Sequence, residues 1–168
     1  MIKGNKRYPF LIFLASFVLL SSCNNNIIYT DSTAIPGKKW ELMNILSFRV
    51  PVDDTLSSNN VMFTIRSGSS YPYRNIYLFV KTVSPDGNSL TDTLEYFLAD
   101  EKGKWYGKGF GDVHELNLPY KSNVFFPRKG TYQFNIQHGM RIENLDGIYD
   151  IGLRIEKTGK QIIKGGKK

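Results

Sequence analysis

Cys23 is the only cysteine in this 168-residue chain, and it follows Leu20, Ser21 and Ser22 at the end of an apolar run. It is the one reactive side chain whose neighbours specify a chemistry. The other reactive residue types are present without an arrangement. His114 and His138 are the only histidines, and neither has a second His or Cys at the spacing a metal ion needs. Ser69 and Ser70 follow Gly68, but Gly-x-Ser-x-Gly is not spelled there, so no nucleophile elbow is present. Asp92, Glu95 and Asp100 sit at turn and strand positions, where ion pairs with Arg74 or Arg141, or turn caps, are expected rather than acid–base catalysis. Asp146 and Asp150 lie near Gly147 without the ligand-rich loop that calcium requires. Gly103 to Gly111 holds four glycines, yet it has no Gly-Lys-Ser/Thr ending and no helix after it, which argues against a phosphate loop. No catalytic residue, metal or cofactor is expected.

The region before Cys23 reads as an address. Lys3, Lys6 and Arg7 precede an apolar run from Phe10 to Leu20 broken only by Ser16, and small residues follow it. Those are the three parts of a secretory signal peptide. Eleven residues are too few to cross the roughly 30 Å of a bilayer's hydrocarbon as a helix. A buried helix of a cytosolic domain would carry a polar face, and this run has none. Leu20 to Cys23 resembles the lipobox of bacterial lipoproteins. The resemblance implies cleavage between Ser22 and Cys23 and lipid attachment to Cys23. Several acyl chains anchor a protein far more firmly than one, so a stably membrane-anchored envelope protein is expected.

Charge supports the same division. The chain carries 22 Lys and Arg against 15 Asp and Glu, a net of +7. Three of those cations lie in the signal, and five more (Lys157, Lys160, Lys164, Lys167 and Lys168) lie in a tail with no acid after Glu156. Residues 24–156 then hold 14 cations and 15 anions, so the body is nearly neutral. No basic face remains for nucleic acid. The tail reads as a solvated, dispensable end. Removing the signal leaves 146 residues, a usual size for one domain. The expected organisation is a signal peptide over 1–22, a lipidated tether over 23–36, one folded domain over 37–156 and a basic tail over 157–168. With Cys23 acylated there is no disulfide, and the core alone must hold the fold.

That core is written in period two. Trp40, Leu42, Leu46, Phe48 and Val50 share one parity, and Val61, Phe63 and Ile65 alternate with Met62, Thr64 and Arg66. Ile76, Leu78 and Val80 repeat the pattern, as do Leu90, Leu94, Tyr96 and Leu98. Val113 to Leu118, Tyr132 to Ile136 and Ile151 to Ile155 complete it, with Ile27 to Tyr29 as a candidate edge strand. Alternation over many short runs means half-buried strands. Pro85-Asp86-Gly87-Asn88 between two such runs predicts a hairpin, and Lys129-Gly130 precedes another strand. One helical turn is expected over Met140 to Leu145, ended by Gly147. The fold class is therefore all-β: a two-sheet antiparallel β-sandwich, jelly-roll or Ig-like, of about eight strands.

Four segments are dense in special residues: Ser70-Tyr71-Pro72-Tyr73-Arg74-Asn75, the stretch from Asp92 through Trp105-Tyr106 to Gly109, Gly139-Met140-Arg141, and Leu145 to Arg154. Together with the lipobox they resemble the gliding motility-associated lipoprotein family GldH of the Bacteroidetes, over nearly all of residues 23–156. The resemblance implies an envelope lipoprotein that works with other gliding proteins, whose machinery is tied to type IX secretion, and it implies no enzyme activity. Asn24 to Asn26 lack the acidic cluster that resembles a surface-export signal of such lipoproteins, so a position facing the periplasm is expected, and the outer membrane is expected because lipoproteins without a retention signal go there. Tyr71, Tyr73, Trp105 and Tyr106 are the candidate partner or glycan contacts. Two tyrosines clamping a sandwich corner, with tryptophans packed in the core or at its rim, is the competing structural account. A carbohydrate- or peptidoglycan-binding lipoprotein is the alternative function, by analogy of fold only.

Overall fold

Alternate residues of each strand carry the apolar load, and they decide which face is buried. In β3 (Leu46–Val52), Leu46, Phe48, Val50 and Val52 are buried while Ser47, Arg49 and Pro51 face out. The same parity holds in β4 (Ser57–Gly68), β5 (Asn75–Val83) and β9 (Gly130–His138), whose inward sets include Phe63, Leu78 and Phe134. The computed structural model describes residues 26–161. Cys23, the expected signal peptide and most of the basic tail lie outside the described residues.

The remaining strands are β1 (Ile27–Ala34), β2 (Lys39–Glu41), β6 (Ser89–Phe97), β7 (Lys108–Phe110), β8 (Val113–Val124), β10 (Asn144–Asp146) and β11 (Ile148–Gln161). One sheet has the order β1-β11-β4-β8-β7 and the other β3-β9-β5-β6, while β2 and β10 form a separate pair. Every pairing is antiparallel. The eight long strands are divided between the sheets in jelly-roll order, switching sheet at every step except the β5–β6 hairpin, so of the two sandwich types expected from sequence the jelly roll is the one formed. The core between the sheets is continuous, from Val52 and Val61 at one end to Trp40 and Leu145 at the other.

Among the described residues eleven strands form where about eight were expected, because β2, β7 and β10 are too short to show a period. The stretch expected as a tether is ordered from Ile27, where β1 pairs with β11 from Ile27↔Glu156 to Ala34↔Asp150. An edge strand is held by backbone hydrogen bonds, so its polar outer face left only Ile27 to Tyr29 visible as a signal. β11 likewise continues past Glu156 to Gln161, opposite Ser57, into what was read as tail. The helical turn expected over Met140 to Leu145 is absent. Leu145 instead pairs with Trp40, and six residues without a cap do not offset the cost of nucleating a helix. The Pro85–Asn88 hairpin forms as expected, with Gly87 at φ +85°.

The β2–β10 pair closes one end of the sandwich. Trp40 is fully buried there, its Nε1–H donates to Asn44 O at 2.8 Å, and its ring meets His138 edge-on at 5.4 Å. His138 is also fully buried, and neither ring nitrogen makes a hydrogen bond of normal geometry. Burial pushes its pKa below the usual imidazole value. Beside this cap, Gly147 takes φ +84°, donates its N–H to Lys38 O at 2.8 Å and accepts from Gly68 N–H at 2.8 Å. A Cβ on Gly147 would lie 2.4 Å from Tyr71 N.

Gly147→Ala should therefore cost about 3 kcal/mol in urea unfolding, from a strained φ and a backbone clash. Gly37→Ala, at φ +62° with open space around it, should cost only about 1–2 kcal/mol; equal costs at the two sites would contradict the close approach. For His138 the sign is fixed by its lowered folded pKa: the unfolded chain takes up the proton first. Stability is full above about pH 6.5 and falls as pH drops below it, whereas carboxylates enter only near pH 4. His138→Leu should flatten the urea midpoint between pH 7.5 and 5, and an unchanged slope would remove His138 as its source.

Candidate functional site

On β5 the alternation that buries Ile76, Leu78 and Val80 turns Tyr77 and Phe79 outward, where they are 37% and 40% exposed. Such rings are more often buried, so two of them side by side on an outer face make an exposed apolar patch. They line a hollow of about 630 Å³ with Tyr73, Thr93 of β6 and the turn after β9. That turn is Gly139-Met140-Arg141, one of the segments that stood out in the sequence. Gly139 N–H donates to Tyr77 O at 2.7 Å, and Met140 Sδ accepts from Tyr77 N–H at 3.4 Å. A Cβ on Gly139 would stand 3.0 Å from the Phe79 ring, so any other residue there would need that ring to give by a few tenths of an ångström. Arg141 is exposed at the rim. Glu95, opposite Tyr77 on β6, raises the pKa of the tyrosine hydroxyl above its usual value. The hollow thus joins apolar ring faces to one cation, Arg141.

The four aromatic residues singled out in sequence are divided among different surroundings. Tyr71 is only 4% exposed, and its hydroxyl donates to Asn75 O at 2.7 Å, which removes it from the surface. Its ring packs edge-on against Tyr73 at 5.9 Å and tilted against Trp105 at 6.3 Å. Trp105 is half-buried and stacks on His114 at 5.1 Å. Tyr106 is 57% exposed, beside Lys108 and Glu115 at the β7–β8 edge. Tyr73 alone of the four reaches the hollow, and Tyr71 and Trp105 support the corner from behind. Ser22 and Cys23 lie outside the described residues.

The carboxylates also find other partners than Arg74 and Arg141. Asp92 accepts from the Tyr120 hydroxyl at 2.6 Å and pairs with Lys121 Nζ at 2.9 Å, which closes the β6 edge against β8. Those bonds, the tyrosine's first, hold the Asp92 carboxyl below its usual pKa. Glu95 accepts from Asn75 Nδ2 at 2.6 Å, and Asp100 accepts the backbone N–H of Lys102 and Lys104. Arg74 instead faces Glu101 and lies over the Phe97 ring at 5.3 Å. Asp150 is held by Arg66, whose Nε donates to it at 2.6 Å, and Asp146 lies 3.9 Å from Lys39. Among the described residues no three His, Cys, Asp or Glu side chains converge to hold a metal ion. Tyr77 and Phe79 were the residues that sequence reasoning missed. The signal was there: two aromatics on the parity opposite to Ile76, Leu78 and Val80.

Comparison with known proteins places this architecture in a family. The chain is 35% identical over 158 residues to a gliding motility lipoprotein GldH homolog of Christiangramia forsetii, covering 90% of this chain and 96% of that protein. It is 34% identical over 153 residues to the gliding motility lipoprotein GldH of Flavobacterium johnsoniae, covering 87% and 94%. Among solved structures, a study of carbohydrate-binding modules from the β-sandwich superfamily supplies a distant match, at 12% identity and a TM-score of 0.28 over 76% of this chain and 54% of that one. A likeness that remote carries nothing about binding. Residues 27–155 match the family described as GldH lipoprotein, and the chain belongs to the GldH lipoprotein family.

Proposed function

We propose that this chain is a non-catalytic lipoprotein, anchored through lipid on Cys23 in the outer membrane and facing the periplasm, that serves gliding machinery through protein–protein contacts. The observation that carries the reading is the hollow of Tyr73, Tyr77, Phe79 and Arg141 on the outer face of the four-stranded sheet. Aromatic and arginine side chains grouped around a concavity are the composition of interface hot spots. Covering one such ring removes apolar area worth about 1.5–3 kcal/mol. The likeness to the gliding motility lipoproteins supports the assignment to that machinery.

Two measurements test it. Cys23→Ala should move the protein out of the membrane fraction, and unchanged sedimentation with membranes would remove the anchor. A crosslinking pull-down from native membranes, with a tag after Lys168 and Cys23 intact, should recover envelope proteins of the gliding or type IX secretion apparatus. Tyr77→Ala with Phe79→Ala should reduce that recovery by about tenfold, the effect of losing about 1.4 kcal/mol of binding, with the thermal melt kept near that of the parent. Undiminished recovery would exclude the hollow as the contact. Recovery of cell-wall glycan alone would favour the glycan-binding alternative.

A further inference from the structure

At the end of the sandwich away from Trp40, the two sheets part around an apolar cavity of about 380 Å³. Its walls are Val61 of β4, Tyr120 and Val124 of β8, Phe126, and Tyr132 and Phe134 of β9. Leu90 of β6 has the inward parity of Leu94, yet it stays 56% exposed at the mouth. Phe125 and Lys121 complete the mouth, with Lys121 Nζ bonded to Asp92. The volume lies in the range of about 300–1,000 Å³ that takes small ligands, and the walls are mainly hydrocarbon and ring faces, with Thr82, Ser84, Asn88 and Ser89 along the β5–β6 side. The chemistry they recognise is an apolar chain with a polar end near Lys121.

The course of the chain says where that ligand comes from. Ile27 stands opposite Glu156 and Glu156 opposite Asn60, while Val61, next to Asn60, stands opposite Lys121. The cavity mouth is thus on the same edge as the start of β1, three strand spacings away, or about 14 Å. Cys23 precedes Asn26 by three residues, a reach of at most about 11 Å. Leu56 is exposed on the same edge, just before β4. β11, from which the lysine-rich tail continues, also ends there. A lipid on Cys23 holds this end, and not the Trp40 end, against the bilayer.

We propose that this cavity binds one acyl chain of a membrane phospholipid, with Lys121 beside the headgroup. The proposal rests on the anchoring of Cys23. It is tested with the full lipidated chain in phosphatidylethanolamine vesicles that contain a trace of phosphatidylethanolamine bearing a diazirine on its acyl chain. After irradiation, adducts are mapped by mass spectrometry, and flotation is run on the same sample. Adducts on Val61, Tyr132 or Phe134, all buried from solvent, are expected. Val124→Trp, which narrows the cavity, should lower them by about tenfold, as should excess palmitate added to the parent protein. Adducts confined to Leu56, Leu90 and Phe125 in protein that floats would overturn the proposal. So would interior labelling that persists in a folded Val124→Trp; if that variant does not fold, labelling that palmitate fails to displace decides the same way. A cross-link from the interior to the acyl chain on Cys23 itself, seen after cells are fed the diazirine fatty acid, would overturn the phospholipid as occupant. Failure to float, with interior labelling by diazirine palmitate in solution, would count against the anchor and support the cavity.

Discussion

β11 lies between β1 and β4, and it pairs with both over most of its length. Its inward residues Ile151, Leu153 and Ile155 are buried in the middle of the core, so one strand supplies hydrogen bonds to two neighbours and apolar area to the opposite sheet. The last long strand of the chain therefore has to be in place before the first one has a partner. Without β11, β1 would have nothing to pair with and β4 would be left as a bare edge. That dependence is non-local, since the β1–β11 contacts join the two ends of the domain. A protein without a disulfide, built this way, relies on register and packing alone, and register is fixed by which parity is buried.

The two ends of the sandwich then differ for a physical reason. At one, β2 and β10 place Trp40 and Leu145 over the gap between the sheets, and the turn at Gly147 is tight enough that only a hydrogen fits against Tyr71. At the other, no such pair exists among the described residues. The gap is spanned by the Pro85–Asn88 hairpin and the Phe125–Lys129 loop, which Arg128 and Asp86 tie together at 2.6 Å. A filled end is stiff and dry, whereas an end crossed only by loops leaves room between the sheets. β1 begins and β11 ends at the open end, opposite the Trp40 cap.

The outer faces follow a different logic. The four-stranded sheet carries Tyr77 and Phe79 outward where alternation would ordinarily place polar residues, while its other outward positions, such as Ser47, Asn135 and Gln133, hydrogen-bond to one another. Phe97 of β6 also faces outward but lies under the Arg74 guanidinium, whereas Tyr77 and Phe79 stand side by side as an exposed apolar patch. Glycine at 139 lets the Phe79 ring lie close against the turn, at 3.0 Å from where a Cβ would stand.

Local pattern in the sequence was enough for the strand identities of β3, β4, β5, β9 and β11, for the hairpin at Gly87 and for the sandwich class, since burial parity and turn chemistry are properties of adjacent residues. It also carried the family likeness and the chemistry expected of Cys23. The tertiary structure alone decided what depends on residues far apart in the chain. Backbone pairing made β1 out of an apparent tether, and the contact with Trp40 made a strand of Asn144–Asp146 where a helical turn had been expected. The candidate aromatics were separated in the same way: Tyr71 went to the interior, Trp105 to a stack on His114 and Tyr73 to the hollow. A tyrosine's type says that it will pack, but only the position of the opposite sheet says on which side.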